Sequence, residues 1–356
     1  MPSSTSSFDF VRPVPEQSWR GILLTVLIVT AVATVGWEIR ARAFGYGPTL
    51  NDTPDLWAQR REAVQPDSLV IIGDSRPHFD LDLDALEQGL GKRPIQLARD
   101  GSCAYPVLAD LANDESFHGT ILCSLVPGMM MAPGGPLMHN AEEVLKRYHH
   151  WTLTQRSGHV LGILLEEHLA FLKEGELDLD ALLAKLPLPP RAGTGRPPTP
   201  PYFATLDRER RARMIDPVQN KEVLERIKRG WPALFTPPPP PSYVPKDVFM
   251  ANMGKAVEKR FSDIAAAVAK LRARGGKLVF VRFPMGGDLK KLEDMGTPRA
   301  GIWTRILKET GAPGIYFEDF PELSAFTPPE DSHLSAPDSV EFTKRLVPHL
   351  KKALGE

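Results

Sequence analysis

The chain has 356 residues, of which 42% are hydrophobic and 24% charged, a composition that buries a real core. A formal net charge of −1 excludes a polybasic surface for nucleic acid. Two cysteines, Cys103 and Cys123, exclude a disulfide framework and a cysteine-rich metal site.

Residues 1–20 are rich in Ser and Pro and read as a disordered tail. Gly21–Trp37 follows as an uncharged run of 17 residues. At ~1.5 Å per residue it reaches ~26 Å, enough for a short bilayer helix. Trp19 and Trp37 flank it as interfacial aromatics do. The expected anchor is 21–39. Its main rival is a cleaved signal peptide, because Ala31-Val32-Ala33 resembles a cleavage site after an apolar stretch. A buried soluble helix is the third reading. Arg12 and Arg20 before the segment balance Arg40 and Arg42 after it, so charge alone does not orient it.

After a connector over 40–65, strands and helices alternate. Thr53 and Pro54 cap and open a helix over 54–63. Leu69–Ile72 is the first strand, and Leu81–Leu90 an amphipathic helix closed by Gly91. Pro94–Ala98 is the second strand, 105–113 a helix, and Thr120–Val126 the third strand, with Cys123 inside it. Cys123 there reads as a buried free thiol, and an oxidising compartment leaves a Cys103–Cys123 bridge open. A long helix over 247–274 ends at Gly275-Gly276 and leads into strand Lys277–Phe283. Helix 298–310, strand Gly314–Phe317 and a final helix over 336–353 capped by Ser335 complete the order. Strands alternating with helices predict an α/β fold with a parallel sheet covered on both faces.

Residues 140–246 break the alternation. The stretch 141–185 reads as helical. Two Pro-rich stretches, 187–201 and 236–245, bracket a charged helix at 218–229. The region is expected to be an insertion on the ligand face of the sheet, as a lid or docking arm; a solvated linker is the alternative. The other histidines, His139, His149 and His150 among them, lack metal-ligand spacing, and neither a metal nor a cofactor is expected.

Two short motifs carry the chemistry. Gly73-Asp74-Ser75 follows the first strand, and Glu330-Asp331-Ser332-His333 precedes the last helix. Ser75 is the candidate nucleophile, which needs a base within hydrogen-bond reach. His333 is the candidate base, with Asp331 orienting it, because a two-residue offset on an extended loop puts both side chains on one side. Asp74 is expected to fix the turn through backbone amides. The Ser75 amide at the start of the next helix can face an oxyanion. Arg76 reads as an anion contact or an exposed ion-pairing residue. The Met129-Met130-Met131 run reads as an acyl-pocket lining or as core packing.

Gly-Asp-Ser after an apolar strand, with Asp331-x-His333 before a final helix, resembles the SGNH (GDSL-type) hydrolase superfamily. The likeness is strongest to its membrane-associated bacterial branch, which includes alginate O-acetyltransferases and the D-alanyl transfer protein of teichoic acids. It covers two blocks, roughly 66–130 and 247–354. Many members place the acid three residues before the histidine, where this chain has Glu330, a substitute acid. The resemblance implies a flavodoxin-like three-layer sandwich split into 66–139 and 247–354 by the 140–246 insertion. It makes Gly101 the oxyanion-hole glycine of the second block. It also implies a cytoplasmic tail, an inner-membrane anchor and an exported domain. Implied partners are the bilayer through 21–39, an acylated glycan or other ester, and a membrane acyl donor. The family's asparagine after the third strand is missing, since Ser124-Leu125-Val126-Pro127 stands there. A membrane-tethered scaffold or partner subunit of the same fold is therefore the rival to an esterase or O-acyltransferase.

Overall fold

A computed structural model describes residues 17–43, 45–173, 204–236 and 242–356. Residues 1–16 of the tail, 174–185 of the stretch expected to be helical, all of 187–201 and half of 236–245 lie outside these residues.

Trp19–Ala43 forms one helix of 25 residues, longer at both ends than the uncharged run. It has a mean hydropathy of 2.1 over its most apolar window, none of which is buried. It is long and apolar enough to cross a membrane. The reading as a buried soluble helix is set aside by that exposure.

The rest builds a mixed α/β domain around five parallel strands. They are β1 (Leu69–Ile72), β2 (Pro94–Gln96), β3 (Thr120–Ser124), β6 (Lys277–Arg282) and β7 (Gly314–Tyr316), in the order β2-β1-β3-β6-β7. Two further strands, β4 (Ala204–Leu206) and β5 (Ala212–Met214), pair antiparallel within the insertion. All four residues of β1 are buried, so both faces of this inner strand are covered. The helices pack in two groups. Lys246–Ala273 lies against Tyr105–Asn113 and Trp303–Thr310, and Ala336–Leu354 against Leu83–Leu90 and Ser75–Asp80. Strand order reverses between β1 and β3, which places the ligand-binding crevice of such sheets at their carboxyl ends.

Local chemistry fixes the boundaries. The Thr53 hydroxyl accepts from Leu56 N, Ser335 accepts from Asp338 N, and Gly91 takes the left-handed conformation at φ 70°. Among the described residues the expected strands and helices are present with small shifts at their ends. The helix expected from 298 starts only at Trp303.

The described part of the insertion is not a solvated linker. Helices Pro136–His149 and Leu153–Glu166 pack on Pro54–Glu62. The fully buried Arg210, in the β4–β5 turn, donates to both carboxylate oxygens of Asp52 and, at 3.0 Å, to the Gln96 carbonyl. The charged helix spans Lys221–Phe235 and packs on Gly287–Gly296, a helix the sequence did not announce.

Cys103 and Cys123 are buried free thiols, not a bridge, and burial pushes the pKa of both upward.

Candidate active site

Ser75 begins the helix Ser75–Asp80 directly after β1. Gly73 makes the turn tight, because at φ 147° a Cβ there would lie 2.4 Å from Ser124 Cβ. Asp74 caps the helix by accepting from Arg76 N at 2.8 Å, and its other oxygen accepts from Ser124 Oγ at 3.4 Å. Burial pushes the Asp74 carboxyl up. The bond from Arg76 N is the backbone-amide contact the sequence suggests, and the bond from Ser124 also ties the turn to the end of β3.

His333 sits fully buried on the loop before the last helix, with Nε2 2.7 Å from Ser75 Oγ. The two side chains meet although 258 positions separate them. The carboxylate on the other side of the ring is that of Glu330, not Asp331. Glu330 Oε1 lies 2.8 Å from His333 Nδ1 and also accepts the His333 backbone N–H at 2.6 Å. Assigning the proton to Nδ1 satisfies every contact: Nδ1–H donates to Glu330 and Nε2 accepts from the Ser75 hydroxyl.

Asp331 is removed from this role by its backbone. It has φ 77°, a left-handed conformation, so the loop is not extended and the two-residue rule fails. Its carboxylate lies 3.5 Å from Lys228 Nζ and over Gly287, where a Cβ would come within 2.2 Å of Asp331 Oδ2. Burial raises the Asp331 pKa, with Lys228 opposing.

Burial is the largest influence on His333 and depresses it. The Glu330 carboxylate, with lesser help from Asp80 and Asp100, more than reverses that, so the imidazole titrates above its ordinary value. Asp80 closes the same short helix that Ser75 opens. Its Oδ1 accepts from Leu334 N at 2.8 Å, and burial lifts its pKa to about 8. Nucleophile and base loop are thus both held by six residues of helix. The Phe79 ring packs on His333 at a centroid distance of 4.8 Å. From the insertion, Trp231 approaches His333 at 6.0 Å and donates from Nε1 to the Glu330 carbonyl at 2.6 Å.

The Gly101 loop is stitched beside the nucleophile turn, since Arg99 N and Ser102 Oγ both donate to the Gly73 carbonyl, at 3.0 and 3.4 Å. Gly101 has φ 59°, and its carbonyl accepts from Asn140 Nδ2 at 2.9 Å. The amides of Ser75 and Gly101 donate to no backbone or side-chain acceptor among the described residues. Such N–H groups are the donors an oxyanion needs. Next to Gly101, Asp100 Oδ1 lies 2.9 Å from Nδ1 of the buried His78.

Arg76 is neither exposed nor an open anion contact. Its Nη2 donates to Glu293 Oε1 at 2.7 Å, and Arg282 binds the other oxygen of the same carboxylate. Met130 and Met131 belong to the core. Among the described residues no three His, Cys, Asp or Glu side chains are grouped as a metal site.

The sequence offered Glu330 only as a substitute acid, at the three-residue offset of the resembled family, and put Asp331 first. Nothing in the sequence marks Trp231, Asp80 or Glu293. In comparison with known proteins, no family model, no curated protein and no solved structure matches this chain.

Proposed function

We propose that the chain is a membrane-anchored serine esterase or O-acyltransferase of the SGNH type, acting on acyl esters of cell-envelope glycans. The observation that carries this reading is the unbroken hydrogen-bonded chain Ser75–His333–Glu330 at the carboxyl edge of a parallel sheet. The strand order, counted among the sheet's own strands as 2-1-3-4-5, is that of flavodoxin-like sandwiches and supports the family resemblance.

The chemistry follows from the geometry. Ser75 Oγ attacks the ester carbonyl carbon while His333 Nε2 takes its proton. Glu330 holds the ring and stabilises the imidazolium that forms. The amides of Ser75 and Gly101 receive the negative charge on the carbonyl oxygen. The tetrahedral intermediate collapses, His333 returns the proton to the leaving alkoxide, and an acyl-Ser75 remains. Water or a sugar hydroxyl then attacks it, giving its proton to His333, which passes that proton to Ser75 Oγ as the acyl–oxygen bond breaks and the serine is restored. Both acceptors use the same machinery. The helix Trp19–Ala43 anchors the protein in the inner membrane, with the catalytic domain on the exported side facing glycan and acyl donor.

The test is the full-length protein in detergent, treated with a fluorophosphonate probe and a short-chain aryl ester. Labelling and hydrolysis should both be lost in Ser75→Ala and in His333→Ala. A wild-type protein that neither labels nor hydrolyses would instead favour a membrane-tethered scaffold of the same fold.

A further inference from the structure

The helix Leu153–Glu166 turns an unusual face outward. Its sequence holds only three residues able to carry charge, Arg156, His159 and Glu166. All three are turned to the domain. Arg156 pairs with Glu62 at 2.9 Å, His159 Nε2 meets Gln59 Oε1 at 3.0 Å, and Glu166 accepts from Asn51 N at 2.8 Å. Ile163, on the same side, is buried. The outward side carries Leu153, Val160, Leu161, Leu164 and Leu165, each 50–82% exposed, and no charge. Surface helices of a domain in water have the reverse pattern.

The chain leaving this helix packs on the membrane helix. The segment directly after Glu166 is fastened to the last turns of Trp19–Ala43. Glu38 accepts from Ala170 N at 3.2 Å and from Phe171 N at 3.3 Å, Arg42 Nη2 donates to the His168 carbonyl at 3.1 Å, and Ala41 and Ala170 are buried together. The attachment lies within two turns of Trp37, where the uncharged run ends. Among the described residues, large exposed apolar side chains concentrate on these two joined helices; outside them stand only Tyr243, Val248, Met250 and Met295.

We propose that Leu153–Glu166 is a second membrane contact, an amphipathic helix lying in the bilayer interface beside the anchor with Leu161 and Leu164 among the acyl chains. The proposal rests on Trp19–Ala43 being a membrane span. An interfacial helix of this kind needs an apolar face reaching ~5–10 Å below the headgroups, and the leucine face supplies it. Two contacts, not one, then fix the domain's orientation, whereas a single span leaves it free to turn. The active site would be held at a set height above the bilayer.

The experiment uses the full chain in vesicles of phosphatidylethanolamine and phosphatidylglycerol, with an environment-sensitive fluorophore on Leu161→Cys, Leu164→Cys, Leu27→Cys or Lys344→Cys. Both native cysteines are buried. Brominated acyl chains should remove most of the fluorescence at 161, 164 and 27 and little at 344, while aqueous iodide should quench 344 alone. Quenching at 27 with iodide-accessible labels at 161 and 164 would overturn the inference and leave the anchor standing. Labels at 161 and 164 shielded from both quenchers would also overturn it, pointing to a protein cover. No lipid quenching at 27 would remove the span itself and the inference with it.

Discussion

Trp231 Nε1 donates a hydrogen bond of 2.6 Å to the Glu330 carbonyl, so a residue of the insertion holds the residue that holds the base. The indole ring is also 6.0 Å from the His333 ring. Replacing Trp231 by Phe keeps most of the ring and removes the donor, leaving a buried carbonyl unsatisfied at a cost of about 1–3 kcal/mol. Trp231→Ala adds the lost packing, about 3–5 kcal/mol. We expect kcat for an aryl ester to fall in both variants, more in the second, with both still folded by circular dichroism. Unchanged kcat in Trp231→Ala would detach the insertion from the chemistry.

The choice of acid is open to direct test. Glu330→Gln keeps the shape but removes the charge that sets the histidine tautomer and steadies its imidazolium. A loss of about 10,000-fold in kcat is expected by analogy with other triads. Asp331→Asn alters a carboxylate that meets Lys228 and not the His333 ring, so it should change the rate by only about two- to threefold. The reverse ranking would restore Asp331 to the site.

His333 must be neutral to accept the Ser75 proton, and its pKa stands above the ordinary value of about 6.5. The acid limb of kcat/KM should therefore lie above about pH 6.5 and activity should rise through it. Glu330→Gln removes the strongest influence holding that pKa up. In the residual activity of this variant the limb should move to lower pH, which a pH–rate profile reads directly.

Asp80 gives a stability prediction of definite sign. Folded, it stays protonated up to about pH 8, because burial outweighs the opposing pull of His333, the Leu334 amide and Arg76. Unfolded, it ionises near pH 3.9. Between those values the native state binds more protons, so the Asp80 contribution falls as pH rises, by up to about 1.4 kcal/mol per unit. Asp80→Asn can still accept from Leu334 N and cannot ionise. Its stability relative to wild type should grow steadily from about pH 5 to 8 in urea titrations. A difference independent of pH would show that Asp80 is ionised in the native protein.

The buried group Arg76–Glu293–Arg282 binds the nucleophile helix to helix Gly287–Gly296 through one carboxylate. Arg76 Nε and Nη1 and the same atoms of Arg282 meet no other acceptor among the described residues. Glu293→Gln leaves two buried guanidinium groups short of charge and should cost about 3–5 kcal/mol. The urea midpoint measures it, and a loss under about 1 kcal/mol would mean that water already shares the load.

The alternation of buried strands and helices was readable from local sequence alone, because apolar runs, caps and glycine stops act over a few residues. Local sequence also marked Ser75 and His333, since a turn after a buried strand and a loop before a final helix are local features. The acid was a different matter. Glu330 and Asp331 are adjacent carboxylates, and the choice between them turned on a left-handed backbone at Asp331. That conformation accompanies the Asp331 contacts with Lys228 and the Gly287 turn, groups distant in the chain. The docking of the insertion was hidden for the same reason. Trp231 reads locally as one more helical residue, and only the folded chain puts its N–H against the Glu330 carbonyl. Local periodicity encodes which residues are buried, and long-range packing decides which polar groups meet.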